Sequence, residues 1–201
     1  MWALVEDGSI TKLINNPRGM IIGDIQYSRN IFSFRWTNEE REAIGLYEVE
    51  FDNTNKKDET YYINADVSYA FGSGKVTGSY GTATAKSIND VLFTAEDEAA
   101  GKGTEGEVKT KGLKTLKKED VKKQAARILA ETDWYILRKA DANTAVPSAI
   151  TTHRAAVRTK SGQMETAINN ASDVDALVAL YVYNNDDPPT RPLGDLPTLE
   201  V

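Results

Sequence analysis

Apolar residues alternate with polar ones through the first part of the chain and recur every three or four residues through the second. The sequence therefore predicts strands followed by helices. In "WALVEDGSITKLI" two short apolar runs flank Asp7-Gly8, a pair suited to a tight hairpin turn because glycine takes positive φ readily. "NPRG" is a second turn signal, with Pro17 pre-set for the second turn position. "TNEEREAIG" reads as one short helix, since Thr37 and Glu40 stand at capping-box spacing and Gly45 can end it. Beyond it, Tyr47, Val49 and Phe51 alternate with Glu48 and Glu50 as in a half-buried strand. In "YYINADVSYAFGSGKVTGSY", Tyr61, Ile63, Ala65, Val67, Tyr69 and Phe71 share one face at period two, and Gly72 to Gly74 turn the chain into a returning strand. Residues 1–84 are thus expected to form a small β-rich domain.

From Ser87 the period changes. Ile88, Val91, Leu92, Ala95 and Ala99 fall at helical spacing behind Ser87 as a cap, and the glycines of "AAGKGTEGE" then break the run. Residues 85–106 read as an amphipathic helix and a Gly-rich linker, with the domain boundary in or near the glycines. A helical domain follows over 107–183. Its first helix carries the stripe Val121, Ala125, Ile128 and Leu129, and it stops at Asp133 so that Trp134 folds back, buried, over that stripe. Its next helix runs from about Pro147 to Lys160, and its last from Ser172 as cap to Tyr181. Residues 184–201 lack any period and hold Pro188, Pro189, Pro192 and Pro197, which predicts an extended arm. Leu193, Leu196, Leu199 and Val201 recur along it as isolated apolar anchors, expected to dock on a neighbouring subunit or partner rather than on the arm's own helices. The fold class is α+β.

Composition narrows the chemistry. The chain has no cysteine and one histidine, His153, which removes thiolate and histidine-cluster metal sites and cysteine nucleophiles; no cofactor is implied. His153 beside Arg154 and Arg158 has no nucleophile motif to serve, and reads as a surface or half-buried helical residue. No spacing brings a pair of carboxylates into a recognisable site, so catalysis is not expected. A net charge of −6 argues against nucleic acid as a partner. The exception is a run of eight Lys and Arg over 109–127, which reads as a solvated helix face with Glu119 and Asp120 paired to Lys122 and Lys123, the alternatives being docking onto an acidic partner surface and, further off, nucleic-acid binding. No apolar run approaches the roughly 20 residues that span a bilayer. The amino-terminal stretch lacks the basic start and apolar core of a signal peptide, so assembly in a cytoplasm is expected.

"AARILAETDWYILRKAD" followed by "VPSAITTHRAAVRTKS" resembles the helical region of tailed-bacteriophage tail-fibre assembly and tail-fibre-associated proteins. There a helix ends in a Leu-x-x-(Thr/Ser)-Asp-Trp run and a second helix carries an aromatic-or-His/Arg pair with another Arg four residues on. Leu129, Thr132, Asp133, Trp134, Arg154 and Arg158 are the matching positions. "WTNEEREAIGLYEV" is similar to segments that precede such a region in phage tail proteins. The assembly proteins finish with a Trp-Pro motif, whereas here no Trp follows Trp134 and the chain ends in "DDPPTRPLGDLPTLEV". The resemblance therefore implies a non-enzymatic virion component, in the tail or tail-fibre apparatus, that reuses the helical module. Its partners would be other virion proteins or copies of itself. The alternatives are a tail-fibre assembly chaperone and, further off, a glycan-acting hydrolase.

Overall fold

β1 (Trp2–Glu6) and β2 (Ser9–Ile14) pair antiparallel across Asp7 and Gly8, whose φ values of 49° and 74° are those of a tight two-residue hairpin turn. In the computed structural model, which describes residues 1–199, this hairpin opens the first of two units, Met1–Thr84; the second begins at Ala85. β3 (Met20–Ile22) and β4 (Ile25–Tyr27) form a separate hairpin, a 3-10 turn covers Arg29–Phe32, and α1 spans Asn38–Glu42. β5 (Leu46–Asp52), β6 (Tyr62–Ile63), β7 (Ser68–Gly72), β8 (Lys75–Ser79) and the two-residue β9 (Thr84–Ala85) follow. The main sheet is five-stranded in the order β2-β1-β5-β8-β7, antiparallel except where β5 and β8 run parallel.

Period two divides the apolar residues between the faces of that sheet. Ala3, Val5, Val49 and Val76 make one buried cluster, which Tyr69 and Phe71 help to cover. Ile14, Ile31 and Leu46 make the other, closed by Trp2, Phe32 and Trp36. The helix read from "TNEEREAIG" forms with the reciprocal Thr37–Glu40 capping box. Gly45 ends it at φ 76°, and its carbonyl accepts the Val5 N–H at 2.8 Å. A Cβ there would collide with the Val5 carbonyl, so glycine is required on two counts.

Two expectations for this unit are corrected. Residues 61–71 are not one strand: Asn64–Val67 lie outside any strand, and Asp66 at φ 55° breaks the run. Tyr61 and Tyr62 are then both buried, which no single face at period two allows. Residues 17–19 leave the chain irregular, with bends at Asn15 and Asn16 in place of a turn centred on Pro17.

In the second unit, β10 (Val91–Leu92) and α2 (Ala95–Ala99) lie in the stretch read as helix and linker, and β11 (Val108–Thr110) opens the range read as helical. β10 and β11 pair antiparallel, Phe93 and the Glu107/Gly106 backbone bond across them, and Thr94 caps α2 in a capping box with Asp97. Asp97 also accepts from Lys109 at 2.7 Å, so the Gly-rich stretch belongs to a folded loop. The unit boundary lies upstream of it. Ser87 starts no helix, because Asp90 is engaged elsewhere: its carboxylate accepts the Gly112 N–H at 2.7 Å and the Thr115 hydroxyl at 3.0 Å. A residue from another segment thereby caps α3 (Leu113–Ala130). These two donors, Gly112 first, hold the Asp90 carboxyl below the usual aspartate range.

α4 (Asp133–Ala142), α5 (Ser148–Asn170) and α6 (Val174–Ala179) complete the chain's helices. α5 runs ten residues past the expected end at Lys160, through Gly162, because Met164 and Ile168 continue its buried stripe. It buries Ile150, Val157, Met164 and Ile168 at helical spacing. It lies antiparallel to α3: Arg154 reaches Leu129 while Lys122 pairs with Glu165 at 3.3 Å. Glu119 pairs with Lys111, so the expected pairing of Glu119 and Asp120 with Lys122 and Lys123 does not form. Asp173, not Ser172, caps α6, accepting the Ala176 N–H at 2.8 Å. No helix among the described residues is long and apolar enough to cross a membrane.

The residues after α6 return to their own unit. Asn184 closes a loop by bonding Asp186 and both the hydroxyl and the backbone of Thr190. Leu193 then donates its N–H to the Leu180 carbonyl at 3.0 Å and is 2% exposed. It lines a cavity of about 220 Å³ together with Val121 of α3 and Met164 of α5. The pocket this anchor needs is supplied by its own chain, which corrects its reading as a contact to a partner. Leu196 and Leu199 are half-buried; Val201 lies outside the described residues.

Candidate functional site

The turn between α3 and α4 gathers most of the residues that carry the phage resemblance. α3 ends at Ala130, and Thr132, 4% exposed, donates both its N–H and its hydroxyl to the Leu129 carbonyl at 3.1 Å. Arg154 arrives from α5 and spends its fork on the same spot. One amino group donates to the Leu129 carbonyl at 2.6 Å and to the Thr132 hydroxyl at 2.7 Å; the other pairs with Asp133 at 2.8 Å. The guanidinium thus adds a charged donor to a carbonyl in the last turn of α3, one that Thr132 already engages, and fixes the first residue of α4 in the same contact. Its side chain is 8% exposed, against 55% for Asp133.

Asp133 therefore starts a helix, where the sequence reading had it stop one. An acidic residue in the first turn suits the positive end of the helix dipole. Trp134 consequently projects from that first turn and is 49% exposed, not buried against α3 and α5. Its ring stacks on Tyr135, with centroids 3.8 Å apart, and Arg138 lies over it at 5.6 Å. α4 buries no residue, and Ile136 and Leu137 join Trp134 on the surface. Asn143, at φ 51°, closes it in the left-handed conformation. The element is an apolar surface fastened to the unit at its amino-terminal end by Arg154.

Arg158 is exposed one turn further along α5 and takes no part in this joint. His153 is buried, at 8% exposure, and not the surface or half-buried residue expected; it faces inward with Arg154 beside Val157. No group of three or more His, Asp or Glu side chains among the described residues is placed to hold a metal ion. The exposure of Ile136 and Leu137 was missed from sequence. The signal was available: in "DWYILRKADA" the large apolar residues are bunched at 134–137, so that no stripe at period 3.6 runs the length of the helix.

No protein-family model matches the chain, and neither a curated protein nor a solved structure matches it.

Proposed function

We propose that this chain is a non-enzymatic docking component of a tailed-phage particle, in its tail or tail-fibre apparatus, assembled in the host cytoplasm. The observation that supports the reading is the joint at the start of α4. Leu129, Thr132, Asp133 and Arg154, four of the residues that carry the resemblance, meet in one hydrogen-bonded cluster. What that cluster holds in position is an exposed Trp134, its ring against the half-buried Tyr135, on a helix that also exposes Ile136 and Leu137. Exposed aromatics with an adjacent arginine are the side chains that contribute most at protein interfaces, because they bury large area for little lost conformational freedom. The partners are other virion proteins or copies of the chain, bound through side-chain packing, with no part for nucleic acid, membrane or cofactor.

Mass spectrometry of purified particles tests the assignment. A virion component is present at a fixed copy number relative to the tail proteins. Presence in infected lysate, bound to a tail-fibre protein, but absence from the particle would instead make the chain an assembly chaperone.

A further inference from the structure

The β-rich unit is electrically divided. Residues 15–36 contain Arg18, Arg29 and Arg35 with a single carboxylate, Asp24. Residues 37–52 contain six carboxylates and only one basic residue, Arg41. The three arginines of the first segment are exposed and make no ion pair among the described residues. The same segment carries exposed apolar side chains: Ile21 at 64%, Ile25 at 58% and Phe34 at 95%. A phenylalanine so exposed contributes nothing to its own fold and leaves apolar area in water.

The acidic segment borders a hollow of about 180 Å³ into which Glu42, Glu48 and Glu50 open. Lys75 pairs with Glu50 at 3.1 Å, while Glu42 and Glu48 have no cationic partner among the described residues. The two surfaces adjoin. Arg41, which lines the hollow and stacks over Trp2 at 4.9 Å, donates to the Ile31 carbonyl at 2.8 Å and to the Ser33 carbonyl. The backbone is thereby tied to the rim of the hollow at Ser33, and Phe34 and Arg35 emerge immediately after it.

We infer that this face of the β-rich unit is a self-association surface, on which the knuckle formed by the exposed Phe34 and Arg35, in their basic segment, seats in each copy over the acidic hollow of the other. Two neighbouring patches of opposite charge are self-complementary under a twofold axis, because each copy then offers its knuckle to the other's hollow. The charge complementarity argues for a second copy over an unrelated protein: the hollow needs a cation beside an apolar group, and the knuckle needs carboxylates, and the same unit carries both. Neither patch belongs to the helical segment that resembles the tail-fibre proteins, so self-association and the proposed function can fail separately.

Light scattering on the full chain, with concentration and salt varied, is the test. The wild-type chain is expected at the mass of two chains at low salt, shifting toward one chain at roughly 0.5 M salt, where screening lengths fall below about 5 Å. Reversing the knuckle (Arg29→Glu with Arg35→Glu) or the hollow (Glu42→Arg with Glu48→Arg) should leave each variant at the mass of one chain with an unchanged circular dichroism spectrum. An equimolar mixture of the two should return to the mass of two chains, because both contacts are again complementary. Phe34→Ser is expected to raise Kd by roughly tenfold or more through lost apolar burial. A wild-type chain of single mass at every concentration at low salt overturns the inference. So does association that persists in both reversed variants, or a mixture of folded variants that stays at single mass.

Discussion

Arg154 carries a buried three-way polar joint in the helical unit, and the burial of its partners ranks their contributions. Arg154→Ala removes the charged donor that the Leu129 carbonyl and the Thr132 hydroxyl share, leaves the carbonyl to the Thr132 donors alone, strands the Asp133 carboxylate and removes a packed side chain. The expected loss is about 2–4 kcal/mol. Arg154→Lys should recover only part of it, since an ammonium cannot reproduce the planar fork. Asp133→Asn should cost no more than about 1 kcal/mol, because its carboxylate is half in solvent and the pair is screened there. Chemical denaturation of the three variants checks the order. Trp134→Ala should likewise cost under about 1 kcal/mol, as surface substitutions do. That replaces the much larger cost a core tryptophan would have had; a loss near 3 kcal/mol would put the ring back in the core. The sequence identified Asp133 and Arg154 as residues that matter, yet misassigned Trp134. Deciding between a helix that ends at Asp133 and one that begins there depends on where the Arg154 fork comes from, and that lies 21 positions away in the chain.

The elements that could be read from sequence are those whose signals are local. Thr37 and Glu40 reach one another within a single turn, and Asp7-Gly8 sets its own backbone, so both were legible without the rest of the fold. The start of α3 was not, because its carboxylate cap comes from Asp90, in a segment whose apolar spacing imitates a helix. The same non-local contact makes this element sensitive to acid. Asp90, Asp97 and Asp173 are all held below the usual carboxylate range, by the Gly112 amide, the Lys109 ammonium and the Ala176 amide respectively as the largest cause. A carboxyl with a depressed folded-state pKa binds fewer protons folded than unfolded. Its stabilisation is complete above the ordinary aspartate range near about pH 4, and is lost as pH falls through the lower folded value. Thermal melts of the wild-type chain should therefore drop in midpoint as pH is lowered below about 4. Asp90→Asn should begin lower at neutral pH and fall less steeply, since one of the titrating caps is gone. Equal slopes for the two proteins would show that Asp90 is not ionised at its cap.

For the molecule as a whole, the question is whether the residues after α6 belong to their own fold or reach out to another chain. Their prolines and scattered leucines suit either role, and no local pattern separates them: a stiffened segment loses little entropy on docking wherever its pocket lies. Packing decides it for Leu193, which is 2% exposed, takes the Leu180 carbonyl as acceptor, and lies by Val121 and Met164. Gly194 follows at φ 67°, a conformation that residues with a Cβ rarely adopt, with the end of the Lys160 side chain of α5 beside it. Leu193→Ala should accordingly destabilise the helical unit by about 2–5 kcal/mol, whereas Leu196→Ala and Leu199→Ala, from half-buried sites, should each cost less. Removing residues 184–201 should lower the melting midpoint at least as far as Leu193→Ala does. Measured at high salt, where association through the β-rich unit is screened, that loss should be the same at every protein concentration, because a contact within one chain has no mass-action term. A loss that grows as the protein is concentrated, with the dilute truncated chain as stable as the dilute full chain, would mean that the arm stabilises a neighbouring copy and not its own helices.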